Sequence, residues 1–86
     1  GVQAVKTANI LSVAPNPAQD IITIAYPLAI ENIIVTTVAG QVVKNIGFEK
    51  GKMNPLINIS DIAPGIYFIK VLDANGKVFV KEVIKQ

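Results

Sequence analysis

Residues 59–86 read ISDIAPGIYFIKVLDANGKVFVKEVIKQ, a segment in which a corner, a strand, a tight turn and a second strand follow one another. Pro64-Gly65 interrupts regular structure, and apolar side chains then alternate along residues 67–71, which is typical of a half-buried strand. Asn75-Gly76 offers the positive φ angles that a two-residue hairpin turn requires. The predicted strands of this hairpin cover residues 66–72 and 77–84.

Five more strands are predicted in the preceding sequence, and turn signals separate them. Pro15 and Pro27 end the first two, because proline cannot donate to a β-ladder, and Gly40 supplies a turn between the third and the fourth. Residues 47–55 are polar and contain glycine, so they are predicted to form a loop. The five strands cover residues 10–13, 20–26, 33–38, 41–46 and 56–59. Short strands without a helical period indicate an all-β fold, an immunoglobulin-like antiparallel β-sandwich of about seven strands.

Tyr67 follows directly on the predicted corner, as does the tyrosine in the tyrosine corner of immunoglobulin-like domains. In that motif the ring turns inward and its hydroxyl binds the backbone a few residues upstream. Because side chains alternate along a strand, Tyr67, Ile69 and Val71 are expected inside, and Phe68 and Lys70 outside.

The predicted turn also sets a register for the hairpin. Pairing Ala74 with Lys77 places Lys70 opposite Lys81, and like charges in this position are mildly destabilising. It also places Glu82 on the inner face, where it would need a partner or a bulge. The outer face then carries both lysines and the apolar residues Phe68, Leu72, Phe79 and Val83, while the inner face receives Val78, Val80 and Ile84. We interpret this outer face as a docking surface for an acidic or mixed partner, unless the lysines splay into water and a loop covers the aromatic rings.

The composition excludes several classes of function. The chain has 86 residues, a formal net charge of +2, and neither Cys nor His, which excludes thiol nucleophiles, imidazole bases, disulfides and zinc-finger sites. It also lacks Arg, which nucleic-acid readers favour for base contacts. No apolar stretch approaches the ~20 residues of a membrane-spanning helix. The sequence therefore predicts no catalytic residue, no cofactor, no metal site, no nucleic-acid partner and no membrane span.

Four motifs occur in a fixed order along the chain. They are VAPNPA at 13–18, IIVTTVAGQVV at 33–43, INISDIAPGIY at 57–67 and VKEVIKQ at 80–86. Together they resemble the C-terminal sorting domain of the Bacteroidetes type IX secretion system. Thr37 and Gln41 depart from that pattern, in which Asp and a basic residue are frequent, but the turn signal survives. The resemblance implies that residues 1–8 are a linker remnant from an upstream cargo and that residues 9–86 are the sorting domain.

The resemblance also implies a route and a set of partners. Cargo carrying such a domain crosses the periplasm, passes the outer-membrane translocon and usually loses the domain to a sortase, so that it ends at the cell surface or outside the cell. The expected partners are translocon and sortase components and the covalently linked cargo. Recognition is expected at Gly65, Tyr67, Lys81, Lys85 and Gln86, to which the register adds Phe68, Lys70 and Phe79. The expected structural motif residues are Pro15, Asn16, Pro17, Gly40, Asn75 and Gly76.

Three alternatives compete with this interpretation. An enzyme would need grouped carboxylates, but the six in this chain are scattered, and residues 73–76 offer too few oxygen ligands for an EF-hand calcium loop. A fibronectin-like spacer or carbohydrate-binding module of a secreted enzyme would share the fold, although a sugar platform usually uses exposed Trp or Tyr. A homodimer through the outer face or an unpaired edge strand is the third alternative.

Overall fold

Residues 10–86 are described by a computed structural model, and in this range the chain forms seven β-strands and no helix. The strands are β1 (Ser12–Ala14), β2 (Ile21–Ala25), β3 (Ile30–Thr37), β4 (Val42–Lys52), β5 (Leu56–Asn58), β6 (Gly65–Asp73) and β7 (Val78–Lys85). They build a three-stranded sheet in the order β1-β2-β5 and a four-stranded sheet in the order β4-β3-β6-β7, with antiparallel pairing throughout. The predicted all-β sandwich is confirmed, whereas the predicted linker lies outside the described residues.

The core lies between the two sheets because alternate side chains of each strand point inward. β2 contributes Ile22 and Ile24, and β3 contributes Ile33 and Val35, all fully buried. Each such side chain contributes about 1.5–3 kcal/mol through removal of its apolar surface from water. Tyr67, Ile69 and Val71 of β6 are buried as predicted. β6 is one of the two inner strands of the larger sheet, with β3 on one side and β7 on the other.

β4 extends through most of the segment that was predicted as a loop, so that prediction is wrong over residues 47–52. In this part of β4 only Ile46 and Phe48 pack partly against the core, and the residues around them are exposed. The alternation of apolar and polar residues is therefore weak in the sequence. Asn32 of β3 supports this stretch: its side-chain amide donates to the Ile46 carbonyl at 3.0 Å and to Asn45 Oδ1 at 2.9 Å.

The β6–β7 hairpin has a three-residue loop, which makes the predicted register wrong by one residue. Asp73 N–H donates to the Lys77 carbonyl at 2.9 Å, and Gly76 N–H donates to the Asp73 carbonyl at 3.0 Å. The Asp73 carboxylate also accepts the N–H groups of Asn75 and Lys77, each at 2.9 Å. Gly76 takes φ = 81°, which completes a type I turn followed by a left-handed residue. Asp73 therefore selects this loop over the two-residue turn.

The same loop closes the β3–β4 hairpin. Thr37 exchanges backbone bonds with Gln41 and Gly40 in the pattern that Asp73 shows, and its hydroxyl accepts the Gln41 N–H at 3.2 Å. Gly40 has φ = 89°. Thr37 thus takes the position that Asp73 holds in the second hairpin.

The one-residue shift exchanges the two faces of β7. Lys70 lies opposite Val80, and Lys81 lies opposite Ile69, so the two lysines do not face each other. Glu82 pairs with Phe68 and points outward, where it is exposed, so it needs no partner in the core. The inner face of β7 is formed by Phe79, Lys81, Val83 and Lys85, and the outer face by Val78, Val80, Glu82 and Ile84.

Candidate functional site

The sequence-based site residues concentrate on the β6–β7 hairpin, which begins at a tyrosine corner. The Tyr67 hydroxyl donates to the Ala63 carbonyl at 2.5 Å, and the ring is buried, which confirms the predicted corner. Gly65 pairs with Lys85 at the end of the hairpin. Both residues thus fix where β6 starts relative to the C-terminal strand.

The Pro-Asn-Pro motif and the C-terminal motif meet in space, although more than sixty residues separate them. Asn16 Oδ1 accepts the Ile84 N–H at 3.0 Å, and Asn16 Nδ2 donates to the Glu82 carbonyl at 3.4 Å. Ala18 N–H donates to the Ile84 carbonyl at 2.7 Å, and Gln86 N–H donates to the Ala18 carbonyl at 2.8 Å. We call residues 15–18 the clasp, because they hydrogen-bond to the terminal part of β7. The peptide bonds preceding both prolines of the clasp are cis.

The C-terminal lysines differ in exposure. Lys85 points inward and is only 8% exposed, with its Nζ 3.4 Å from the Gln86 carbonyl. Lys81 also lies on the inner side of β7 but is half-buried, and Gln86 is exposed. The two lysines are therefore parts of the folded sheet and not of a free tail.

Phe79 was expected on the outer face, and this expectation is wrong. Its ring packs against the core, with its centroid 5.6 Å from that of Tyr26. The cause is again the three-residue loop, which turns Phe79 inward together with Lys81. Of the aromatic residues expected outside, only Phe68 lies on the outer face, where it is half-buried beside the exposed Lys70.

An apolar outer face nevertheless exists, formed by other residues of β7 than those predicted. Val78 and Val80 are 48% and 55% exposed, and Ile66 and Ile84 lie opposite each other at 46% and 42%. Lys70 and Glu82 are the charged residues of β6 and β7 on this face. The sequence signal for this arrangement of β7 is the spacing of Asp73 and Gly76, three residues apart at the hairpin loop. Thr37 and Gly40 have the same spacing in the β3–β4 hairpin.

The opposite, inner side of the hairpin contains a buried tyrosine–aspartate pair. The Tyr26 hydroxyl donates to Asp73 Oδ2 at 2.5 Å. Burial raises the pKa of Tyr26 to about 12, and the hydrogen bond and negative charge of Asp73 act in the same direction. The same hydrogen bond lowers the pKa of Asp73, helped by the N–H groups of Lys77 and Asn75 and opposed by burial.

A cavity of about 300 Å³ adjoins this pair, lined by Ile10, Leu28 and Phe79 among others. Both Asp73 carboxylate oxygens already accept hydrogen bonds from the protein. Within residues 10–86 no buried side-chain nitrogen or oxygen lacks a partner. The polar groups beside the cavity thus stabilise the hairpin loop.

Residues 10–86 contain neither a cluster of metal-ligating side chains nor a membrane-spanning helix. In the described part of the chain, no three or more Asp and Glu residues group closely enough to hold a metal ion. Within the same range, no helix has the length and apolar character needed to cross a bilayer.

Comparison with known proteins gives similar solved structures and a matching family model. CopC from Methylosinus trichosporium OB3b is similar with a TM-score of 0.50 and 15% sequence identity, over 83% of this chain and 78% of that one. At this identity the similarity concerns the fold alone. No curated protein matches the sequence. The family model described as "Secretion system C-terminal sorting domain" matches residues 12–86, which include all seven strands, the clasp and the C-terminal hairpin. The chain therefore belongs to the family of type IX secretion system C-terminal sorting domains.

Proposed function

We propose that this domain directs an attached cargo through the type IX outer-membrane translocon and that a sortase then removes it, leaving the cargo at the cell surface. The observation that carries the proposal is the family match over residues 12–86. Membership in the family implies interaction with the secretion machinery and secretion to the cell surface or the extracellular space. Transit through the periplasm, cleavage and surface attachment are the further steps that we propose.

The proposed recognition residues divide into two groups by their place in the fold. Tyr67 and Lys85 are buried, Phe79 packs against the core, and the exposed Gly65 pairs with Lys85 in the β6–β7 ladder. These four residues would act by holding the shape of the hairpin. Phe68, Lys70, Lys81 and Gln86 retain accessible surface and would contact the machinery directly. This division explains how the buried Lys85 and the half-buried Lys81 of one motif would serve the same signal.

The sorting role is tested by fusing residues 1–86 to a periplasm-targeted fluorescent protein in a type IX-competent bacterium. Fluorescence at the surface and in the medium is compared with that of the unfused protein. A truncated variant without residues 81–86 would lose Val83 from the core and with it part of the fold. The variants that test recognition are therefore the point substitutions Phe68→Ser and Lys70→Gln on the outer face. We expect export of the intact fusion, and retention of the unfused protein. Equal retention of both would refute the sorting role and favour a spacer or sugar-binding module.

A further inference from the structure

β7 is an edge strand of the four-stranded sheet, and among residues 10–86 part of its edge has no pairing partner. In the antiparallel β6–β7 pair, alternate residues direct their N–H and C=O groups away from β6. Ile84 is one of these residues, since both of its backbone groups bind the clasp. Val78 and Val80 have the same orientation by alternation, and within residues 10–86 their outward backbone groups have no hydrogen-bond partner.

The unpaired segment has definite ends. The hairpin loop precedes it, and the clasp begins at the Glu82 carbonyl, which accepts the Asn16 side chain. The open edge therefore runs from Val78 to Glu82, a length typical of a short added strand. Unpaired N–H and C=O groups on such an edge are a template for pairing with another chain.

Lysines lie on both faces of the open edge, and Glu82 is the acidic residue on its outer face. Lys81 lies half-buried on the inner side, Lys70 lies exposed opposite Val80 on the outer side, and Lys77 stands at the loop. Among residues 10–86 none of these lysines forms an ion pair, the single pair being Lys44 with Asp61. Since no carboxylate among residues 10–86 pairs with Lys81, an added strand with an acidic side chain beside Lys81 is favoured.

A second copy of the domain does not supply this chemistry. Two β7 strands paired antiparallel about Val80 would place Phe79 of each copy beside Lys81 of the other. The net charge of +2 on each chain would also oppose association.

We propose that an extended segment of the secretion machinery, with a carboxylate side chain beside Lys81, adds as a strand to β7 between Val78 and Glu82. This proposal rests on the proposed sorting function. Backbone hydrogen bonds to Val78 and Val80 supply affinity in this mode, and alternate side chains supply specificity. The exposed side chains of both valines give the added strand an apolar neighbour on the outer face.

The decisive variant is Val80→Pro in the fluorescent fusion. Proline removes the outward N–H and leaves the hydrogen bonds between β7 and β6 in place, as is tolerated on an edge strand. Val80→Ala removes the side chain and keeps the N–H, so it is the matched control. We expect Val80→Pro to lower export about tenfold and Val80→Ala to change it less than about twofold.

Charge is tested independently at Lys81. We expect Lys81→Glu to lower export more than Lys81→Gln, because the reversed charge repels the incoming carboxylate whereas the amide only loses the attraction. Thermal melting of each purified 86-residue variant shows whether it folds. If Val80→Pro does not fold, the ratio between the two Lys81 variants decides the proposal.

The outcomes separate the two proposals. Export of Val80→Pro at the level of Val80→Ala, with the intact fusion exported, would overturn strand addition and leave the sorting function standing. Retention of the intact fusion would overturn both. A photoreactive residue at Val78 identifies the occupant: a crosslink to an acidic segment of the machinery supports the proposal. A crosslink to a second copy, or to residues 1–9, would overturn it.

Discussion

Substitution of Asn16 by alanine should loosen the end of β7 without unfolding the domain. The variant loses the acceptor for the Ile84 N–H, a bond of 3.0 Å, and the donor to the Glu82 carbonyl, a bond of 3.4 Å. The longer bond lies near the geometric limit and contributes little. A neutral hydrogen bond at an exposed position contributes about 0.5–1.5 kcal/mol, so we expect a loss of about 1 kcal/mol. For a domain of this size that loss lowers Tm by about 4–8 °C.

Two measurements test the origin of this loss. Hydrogen exchange should accelerate at the Ile84 amide and stay slow at the Val83 amide, whose N–H faces β6 by alternation. Asn16→Asp is the matched control, since it keeps the acceptor for Ile84 and loses only the donor to Glu82. We expect its Ile84 amide to remain protected. Equal protection of Ile84 in the alanine variant and in the parent would show that the clasp bond is not formed in solution.

Three further predictions concern stability. Tyr67→Phe removes the corner hydrogen bond and keeps the ring, so we expect a loss of about 1 kcal/mol in denaturant unfolding; an unchanged midpoint would contradict this. Because the pKa of Tyr26 is raised to about 12 in the folded state, its contribution is complete below pH 10 and is lost as the pH rises from 10 to 12. Over this pH range the Tm should fall more steeply with pH for the parent than for Tyr26→Phe. The same pH dependence of Tm in both proteins would refute the buried pair with Asp73. Gly51→Ala should destabilise the domain more than Gly76→Ala, although both glycines have positive φ. A Cβ added at residue 51 would lie 2.9 Å from the Ala29 side chain, whereas a Cβ added at residue 76 would meet no atom within 4 Å. Equal unfolding free energies for these two variants would contradict the contact.

The sequence predicts the number of strands, the sandwich and the tyrosine corner, because these follow from local signals. Pro15 and Pro27 interrupt the chain, and alternation identifies the inward residues of β6. Tyr67 is identified by its position after a Pro-Gly corner. Each of these features depends on residues close together in the chain.

The register of β7 could not be obtained in the same way, because it depends on a side chain outside the two residues that suggested the turn. Asp73 accepts two backbone N–H groups and the Tyr26 hydroxyl, which stabilises a loop one residue longer. Since the side-chain period of a strand is two, this single residue moves Phe79 and Lys81 to the inner face. The clasp was missed for a related reason: pairing of Asn16 with Ile84 is a long-range contact without a local signal.

The clasp bears on how a C-terminal signal of this kind is read. Recognition of residues 80–86 as an extended tail would first have to break the hydrogen bonds to Asn16 and Ala18 and expose Val83, which is buried in the core. Recognition of the open edge of β7 requires neither step. The two modes give different expectations for Asn16→Ala. With a stability of about 5 kcal/mol, a loss of about 1 kcal/mol leaves more than about 99% of the domain folded. Edge recognition then predicts unchanged export, whereas tail recognition predicts improved export because the terminal strand is easier to release.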